Sequence, residues 1–248
     1  MNENLLKEKN EEGEKVSPYW AGRRKQEQRD GLMKLYTDRY RVLTVELMIG
    51  LLNMPLNPSS RRIIETRYQR LVEGKYVRKI RKGYTTYYVS PSVIKKGDPQ
   101  LEHKLMESYV WIALERALPV AKKEMSHQLR GQGGSIIPDG VFQINGTLYC
   151  LEIDTGLEQL AELKSKAQRY DKNRESLQDR YLMTNMQVLF ITKYQSYVAE
   201  IFKELQDIGS GGMFLMTAQE LFKPFDQSIL TPIWFSPESP EQRTLKAE

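Results

Sequence analysis

The stretch Ile136-Ile-Pro-Asp139-Gly-Val-Phe-Gln-Ile-Asn145-Gly146-Thr-Leu-Tyr-Cys-Leu-Glu152-Ile-Asp154 decides the fold of the second half of the chain. Asn145-Gly146 predicts a β-hairpin, because a type I′ turn needs a positive φ at both central residues. A two-residue turn then places Asp139 opposite Glu152. Since side chains alternate along a strand, Asp139, Glu152 and Asp154 are expected on one face.

Carboxylates that face each other across an antiparallel pair repel, so this hairpin needs a compensating group. A hard divalent cation such as Mg²⁺ or Mn²⁺ takes carboxylate oxygens as ligands, which makes Asp139 and Glu152 candidate metal ligands and Asp154 a third. Two alternatives stay open from the residues alone. The register can be shifted by one residue, or the carboxylates can simply face water.

Composition limits the class of protein. The chain has 248 residues and a mean hydropathy of −0.57, and no apolar run approaches the ~18 residues of a membrane-spanning helix. The first residues lack the apolar core of a signal peptide. The single cysteine, Cys150, excludes an internal disulfide and a cysteine-based zinc site. These features predict a cytoplasmic protein that does not bind membranes.

Charge is distributed unevenly along the chain. Residues 1–100 contain 21 Lys and Arg against 12 Asp and Glu, whereas the remainder contains 16 against 20. A basic first half joined to a mildly acidic second half predicts two domains, with nucleic acid as the partner of the first.

The first half has the pattern of a winged helix-turn-helix. A polar tail, predicted to be disordered, covers residues 1–22, and the domain itself covers residues 23–94. Three helices are predicted. The first begins at about Arg24 and buries Leu32, Leu35 and Tyr36, and the second runs from Leu43 to Leu52. The third begins at a Ser59 or Ser60 cap, ends at Glu73, and buries Ile64, Tyr68, Leu71 and Val72. Gly74 is expected to end the third helix in a left-handed conformation. A basic hairpin, broken at Lys82-Gly83, follows.

Nine basic residues and only two acidic ones lie on this third helix and hairpin. The basic residues are Arg61, Arg62, Arg67, Arg70, Lys75, Arg78, Lys79, Arg81 and Lys82. Their positive charge would neutralise phosphates, so we predict that they bind double-stranded DNA. The alternatives are a basic helix that is only solvated and a winged helix that contacts protein. A homodimer is the default expectation for such a domain.

The second half has the pattern of a mixed sheet flanked by helices, over residues 100–222. A polar linker over residues 95–99 precedes it, and a Pro-rich tail over residues 223–248 follows. The predicted elements are helices over 101–118, 157–173, 197–205 and 218–222, strands over 120–125, 186–192 and 213–216, a loop over 127–134, and the hairpin. The fold class is therefore α+β. The two histidines, His103 and His127, are too few for a histidine-based zinc site, and His103 is interpreted as structural.

Pro138-Asp139 followed by Glu152-Ile-Asp154 on the second hairpin strand resembles the core of PD-(D/E)xK nucleases. The resemblance implies that Asp139 and Glu152 hold Mg²⁺ and that Glu102, on the preceding helix, adds a ligand. Asp154 stands where that family has a lysine that polarises the attacking water. An acidic group there would oppose the charge that develops on the phosphate, so this position argues against efficient cleavage. In some members a lysine of the following helix substitutes, and Lys166 is the first candidate here, with Lys164 second.

The whole arrangement also resembles the replication-relaxation family of plasmids and other mobile elements, over roughly residues 30–205. The resemblance rests on the winged helix, on Pro138-Asp-Gly-Val-Phe142 and Leu151-Glu-Ile-Asp-Thr-Gly156, and on Leu163 with Lys166 and Tyr170. It implies a DNA-associated role in replication or mobilisation, with a replication protein or a relaxase as partner.

Three hypotheses follow for function. The first is a DNA-binding accessory protein whose nuclease-like domain is catalytically reduced. The second is a metal-dependent endonuclease in which Asp139, Glu152 and Asp154 hold the metal and Lys166 supplies the positive charge. The third is a transcriptional regulator whose second domain serves to dimerise or to bind a partner.

Overall fold

The computed structural model describes residues 18–91, 100–117, 122–125, 129–131, 134–144, 146–155, 160–192, 214–217, 234–236 and 239–243. Helices and sheets both contribute, which confirms the predicted α+β class. The chain divides into two compact units, Met1–Gly97 and Asp98–Glu248. Among the residues described, no helix has the length and apolar character that a membrane crossing requires.

The first unit contains three helices and a small antiparallel sheet. Its elements in chain order are α1 (Pro18–Tyr40), β1 (Val42–Leu43), α2 (Val45–Leu51), α3 (Pro58–Glu73), β2 (Arg78–Lys82) and β3 (Thr85–Val89). The sheet has the order β1-β3-β2, so the hairpin strand β3 lies in the middle. Helix α1 begins at Pro18, inside the segment that the sequence assigns to a disordered tail.

Helix α3 packs against the sheet through the apolar stripe that its sequence predicts. Ile64, Tyr68 and Leu71 are buried, and the ring of Tyr68 stacks on that of Tyr88 in β3 with 3.6 Å between centroids. The cap of this helix is Asn57, whose side chain accepts a hydrogen bond from the Ser60 N–H at 2.8 Å, so the predicted serine cap is wrong.

The predicted end of α3 is also wrong in detail. Gly74 has a φ of −75°, and Lys75 adopts the left-handed conformation with a φ of 60°. Glycine at position 74 leaves room for the Tyr76 ring, since a Cβ there would come within 2.8 Å of that ring unless the ring moved. The following hairpin does turn at Gly83, which has a φ of 60° between the paired residues Lys82 and Thr85.

The buried side of α1 differs from its prediction. Met33, Thr37 and Tyr40 face the core, whereas Leu32 and Leu35 are exposed. The side chain of Thr37 is satisfied within the helix, because its hydroxyl donates to the Met33 carbonyl at 2.7 Å. A polar residue thus occupies a core position that hydrophobic periodicity does not reveal.

The second unit contains two helices and a seven-stranded sheet in its described part. The elements are α4 (Leu101–Ala117), β4 (Lys122–Met125), β5 (Leu129–Gly131), β6 (Gly134–Ile136), β7 (Gly140–Ile144), β8 (Thr147–Asp154), α5 (Leu160–Tyr181), β9 (Asn185–Thr192), β10 (Phe214–Thr217), β11 (Trp234–Ser236) and β12 (Ser239–Arg243). The sheet order is β12-β11-β10-β9-β8-β7-β4, and β5 pairs with β6 separately.

The centre of this sheet changes from antiparallel to parallel at β8. Strands β4, β7 and β8 pair antiparallel, while β8, β9 and β10 run parallel, with α5 in the crossover from β8 to β9. Ile144 pairs with Thr147 and Phe142 with Tyr149, which confirms the predicted hairpin register. Strand β8 is buried from Leu148 to Asp154, and this central position holds Glu152 inside the protein.

Several predictions for the second unit need correction. The predicted loop over residues 127–134 contains strand β5 and the start of β6. Helix α5 continues to Tyr181, eight residues beyond its predicted end, and the Pro-rich tail contributes β11 and β12 to the sheet. The predicted linker over residues 95–99 and the predicted helices over 197–205 and 218–222 lie outside the described residues.

Candidate functional site

Asp139 is fixed at the start of β7 by the backbone of β8. Its N–H donates to the Leu151 carbonyl at 2.9 Å, and its Oδ2 accepts from the Ile153 N–H at 2.7 Å. The next residue, Gly140, must lack a side chain, because a Cβ there would collide with the ring of Trp111. This close packing brings helix α4 against the carboxylate.

Two side chains of α4 complete the surroundings of Asp139. The Nε2 of His103 lies 2.9 Å from Asp139 Oδ1 and 3.2 Å from Glu107 Oε1. Burial lowers the pKa of His103, but the hydrogen bonds and negative charges of Asp139 and Glu107 outweigh burial and raise the pKa to about 10. His103 is therefore an imidazolium at neutral pH, and it places one positive charge between two carboxylates.

Glu152 has different partners, which come from helix α5. Its side chain is 3% exposed, its Oε2 lies 3.0 Å from Lys166 Nζ, and its Oε1 accepts a 2.6 Å hydrogen bond from the Tyr170 hydroxyl. Burial and then the charge of Asp139 raise the pKa of Glu152, while Lys166 and Tyr170 lower it in part. Burial and the charge of Glu152 likewise raise the pKa of Tyr170, so this phenol stays protonated and donates.

The carboxylates that the sequence groups together are thus divided between two sets of partners. Within the described residues, the set whose possible ligand atoms all lie within 4.8 Å of one another is His103, Glu107 and Asp139. Glu152 is not in that set, nor are Glu102, which is half-buried on α4, and Asp154, which is buried at the end of β8.

The sequence prediction misses His103 and Glu107 as partners of Asp139. A signal is present, because a histidine and a glutamate four residues apart on a helix share one face. The prediction of Lys166 is better placed, since this lysine does contact Glu152. Lys166 also lines an open cleft of about 440 Å³, together with Ala161, Glu162, Ser165 and Arg169.

The basic residues of the first unit fall into two groups. The first group is exposed on α3, on the turn after it and on the hairpin, and consists of Arg62, Arg70, Lys75, Lys79, Arg81 and Lys82. Arg61 is also exposed, but its Nη2 lies 2.6 Å from Glu46 Oε1 in an ion pair. Arg67 is buried and forms an ion pair with Asp30 at 3.2 Å, which corrects its assignment as a DNA contact. Arg78 is half-buried, with its Nε and Nη2 atoms inside the protein.

Two tyrosines that are not among the predicted DNA contacts accompany the exposed basic group. Tyr84, beside Gly83 at the hairpin tip, is fully exposed, and Tyr76 is exposed with the Lys34 ammonium 3.2 Å from its ring centroid. The hairpin therefore presents an aromatic side chain together with its positive charges. No family model and no curated protein matches this chain.

Proposed function

We propose that this protein is a DNA-binding accessory protein of plasmid or mobile-element replication or mobilisation, and that its nuclease-like domain is catalytically reduced. The observation that carries the proposal is the exposed basic surface of α3, its following turn and the β2–β3 hairpin. Lysine and arginine side chains on a helix and an adjacent hairpin bind backbone phosphates and release condensed counterions.

The arrangement of the first unit supports DNA recognition by a winged helix. The order α1-β1-α2-α3-β2-β3, with a sheet of order β1-β3-β2, is typical of that domain. In this interpretation α3 is the recognition helix and the β2–β3 hairpin is the wing. The burial of Arg67 against Asp30 supports a rigid helix whose remaining basic side chains face outward.

The arrangement of the second unit supports a relationship to PD-(D/E)xK nucleases. In that core, a helix is followed by three antiparallel strands, a crossover helix and a parallel strand. The same order is found here in the elements α4, β4, β7, β8, α5 and β9. Asp139 and Glu152 occupy the two carboxylate positions, and Asp154 replaces the usual lysine.

Reduced catalysis is supported by the partners of Glu152. Both of its oxygens are hydrogen-bonded inside the protein, one to Lys166 and one to Tyr170. A metal ion at this carboxylate would compete with partners that already compensate its burial, and the loss of such a partner is strongly unfavourable. The site therefore favours a stable fold over metal-dependent hydrolysis.

Binding to a duplex oligonucleotide, measured by fluorescence anisotropy across a series of salt concentrations, tests the DNA-binding role. The variant Lys79→Ala/Arg81→Ala/Lys82→Ala should bind at least roughly tenfold more weakly at low salt. The slope of log K against log salt should fall by up to about three, because each lost phosphate contact removes close to one released counterion.

A charge-matched control comes from α5, where Arg169→Ala/Lys172→Ala/Arg180→Ala removes three exposed basic residues from the second unit. This control should keep the affinity and the salt slope of the wild-type protein. Unchanged binding by the hairpin variant, or equal losses in both variants, would contradict the proposal and favour a partner-binding regulator.

One observation favours a second function, that of a metal-dependent endonuclease. Lys166 reaches Glu152 from the helix after β8, where a lysine in some PD-(D/E)xK members replaces the one missing from the strand. Cleavage of duplex DNA in Mn²⁺ that disappears in both Glu152→Gln and Lys166→Ala would establish this function instead.

A further inference from the structure

We propose that His103, Glu107 and Asp139 form a binding site for a first-row divalent metal ion, Mn²⁺ or Zn²⁺ in preference to Mg²⁺. The site goes beyond the DNA-binding role, because it uses residues of the second unit alone. It also differs from the ligand set that the sequence predicts, since it contains a histidine and does not contain Glu152.

The spacing of the three ligands suits a metal ion. His103 and Glu107 are four residues apart on α4, so that both project from one face of the helix, and Asp139 approaches from the start of β7. His103 Nε2 lies 2.9 Å from Asp139 Oδ1 and 3.2 Å from Glu107 Oε1. Metal–ligand bonds of about 2.1 Å in a tetrahedral site separate the ligands by roughly 3.4 Å, so the ligands need to move by only about half an ångström. The ion takes the place of the Nε2 proton of His103, which is released to solvent on binding.

Asp139 is already oriented as a ligand. The Ile153 N–H donates to its Oδ2 at 2.7 Å, which leaves Oδ1 directed at His103. Hydrogen bonds of this kind hold ligating carboxylates in place in metal sites. The backbone bond from the Asp139 N–H to Leu151 adds a second restraint.

Glu107 provides an independent indication of a ligand. Its side chain is only 5% exposed, and its Oε2 is buried without a hydrogen-bond partner among the described residues. A buried carboxylate oxygen in this state is unfavourable unless another group compensates it. A metal ion beside His103 and Asp139 would supply that compensation.

The ligand chemistry selects the ion, and the exposure of the site allows it to enter. Imidazole nitrogen suits Zn²⁺ and its first-row neighbours, carboxylates also suit Mn²⁺, and Mg²⁺ prefers an all-oxygen octahedral shell. The side chains of His103 and Asp139 are 22% and 19% exposed, so solvent reaches one side of the site. Water can therefore fill the remaining coordination positions.

Titration of Mn²⁺ into the metal-free full-length protein, followed by electron paramagnetic resonance, tests the site. We expect saturable binding with one ion per chain and electron spin echo modulation from a coordinated ¹⁴N nucleus. Zn²⁺ should displace the Mn²⁺, whereas a large excess of Mg²⁺ should not.

The variants Glu107→Gln and His103→Gln should lower Mn²⁺ affinity by about 100-fold or more, since even outer-shell partners of a metal site are worth roughly 10- to 100-fold. Glu102→Gln is the matched control, because it makes the same substitution one residue before His103 on α4, at the ligand that the sequence predicts. This control should bind Mn²⁺ like the wild-type protein.

Three results would overturn the proposal. They are the absence of saturable Mn²⁺ and Zn²⁺ binding, bound Mn²⁺ without ¹⁴N modulation, and an equal loss of affinity in Glu102→Gln and Glu107→Gln. The ¹⁴N measurement uses the wild-type protein, so it decides the matter even if a variant fails to fold. DNA binding by the first unit is measured separately, and neither result determines the other.

Discussion

Asp139 and Glu152 lie opposite each other at one end of the same hairpin, yet they have different chemical surroundings. Asp139 is partly exposed and faces His103 and Glu107 of helix α4, whereas Glu152 is buried against Lys166 and Tyr170 of helix α5. The hairpin register determines that the two carboxylates share a face, but the helix that packs against each carboxylate determines its partners and its exposure. The comparison teaches that two carboxylates opposite each other on one hairpin can take their partners from two different helices.

The largest effect in this comparison should come from removal of the positive charge beside Glu152. Lys166→Met leaves a buried carboxylate without its cation. The pKa of Glu152 is raised to about 7, so this cost is complete only where the carboxyl is ionised, and we expect a loss of about 3 kcal/mol in the free energy of unfolding, measured with urea at about pH 9. The double variant Glu152→Gln/Lys166→Met should regain most of this loss, because no buried charge then remains. If Lys166→Met is equally harmful with glutamate or glutamine at position 152, the ion pair does not stabilise the fold.

A smaller effect is expected for the hydroxyl of Tyr170. Tyr170→Phe removes a hydrogen bond to a buried charged group, which is worth about 2 kcal/mol. The same substitution in the Glu152→Gln background should be milder, since the acceptor is then neutral. Equal losses in the two backgrounds, measured by thermal and urea unfolding, would show that the phenol contributes through packing alone.

For the groups around Asp139, we expect a contribution to the free energy of unfolding that changes with pH. The partner charges raise the pKa of His103 from 6.5 to about 10 despite its burial, so its contribution to stability is complete below pH 6.5 and is lost as the pH rises toward 10. In metal-free protein, the difference in unfolding free energy between wild type and His103→Gln should shrink over this range. A difference that stays constant from pH 6.5 to 10 would contradict the charged pairing of His103 with Asp139 and Glu107.

Local sequence signals predict much of this site, because the hairpin and the position of Lys166 depend on short-range patterns. Asn145-Gly146 fixes a register in which Asp139 meets Glu152, and helical spacing from Leu163 to Tyr170 places Lys166 toward the sheet. Each of these predictions requires only the period of a strand or of a helix.

The predictions that fail depend on contacts between residues far apart in the chain. His103 reaches Asp139 from 36 positions earlier, through the packing of α4 against Gly140. Arg67 is buried because Asp30, 37 positions earlier, lies beside it. No periodic pattern within α3 distinguishes a basic residue with such a partner from one that faces solvent, so counting charges overestimates the exposed basic surface.

The most direct test of the account measures DNA binding and DNA integrity in the same sample. Supercoiled plasmid is incubated with the full-length protein and Mn²⁺, and the products are separated by electrophoresis before and after removal of the protein. We predict retarded migration that weakens as salt increases, followed by recovery of intact supercoiled plasmid. Nicked or linear DNA that appears with the wild-type protein and disappears with Glu152→Gln would contradict the account.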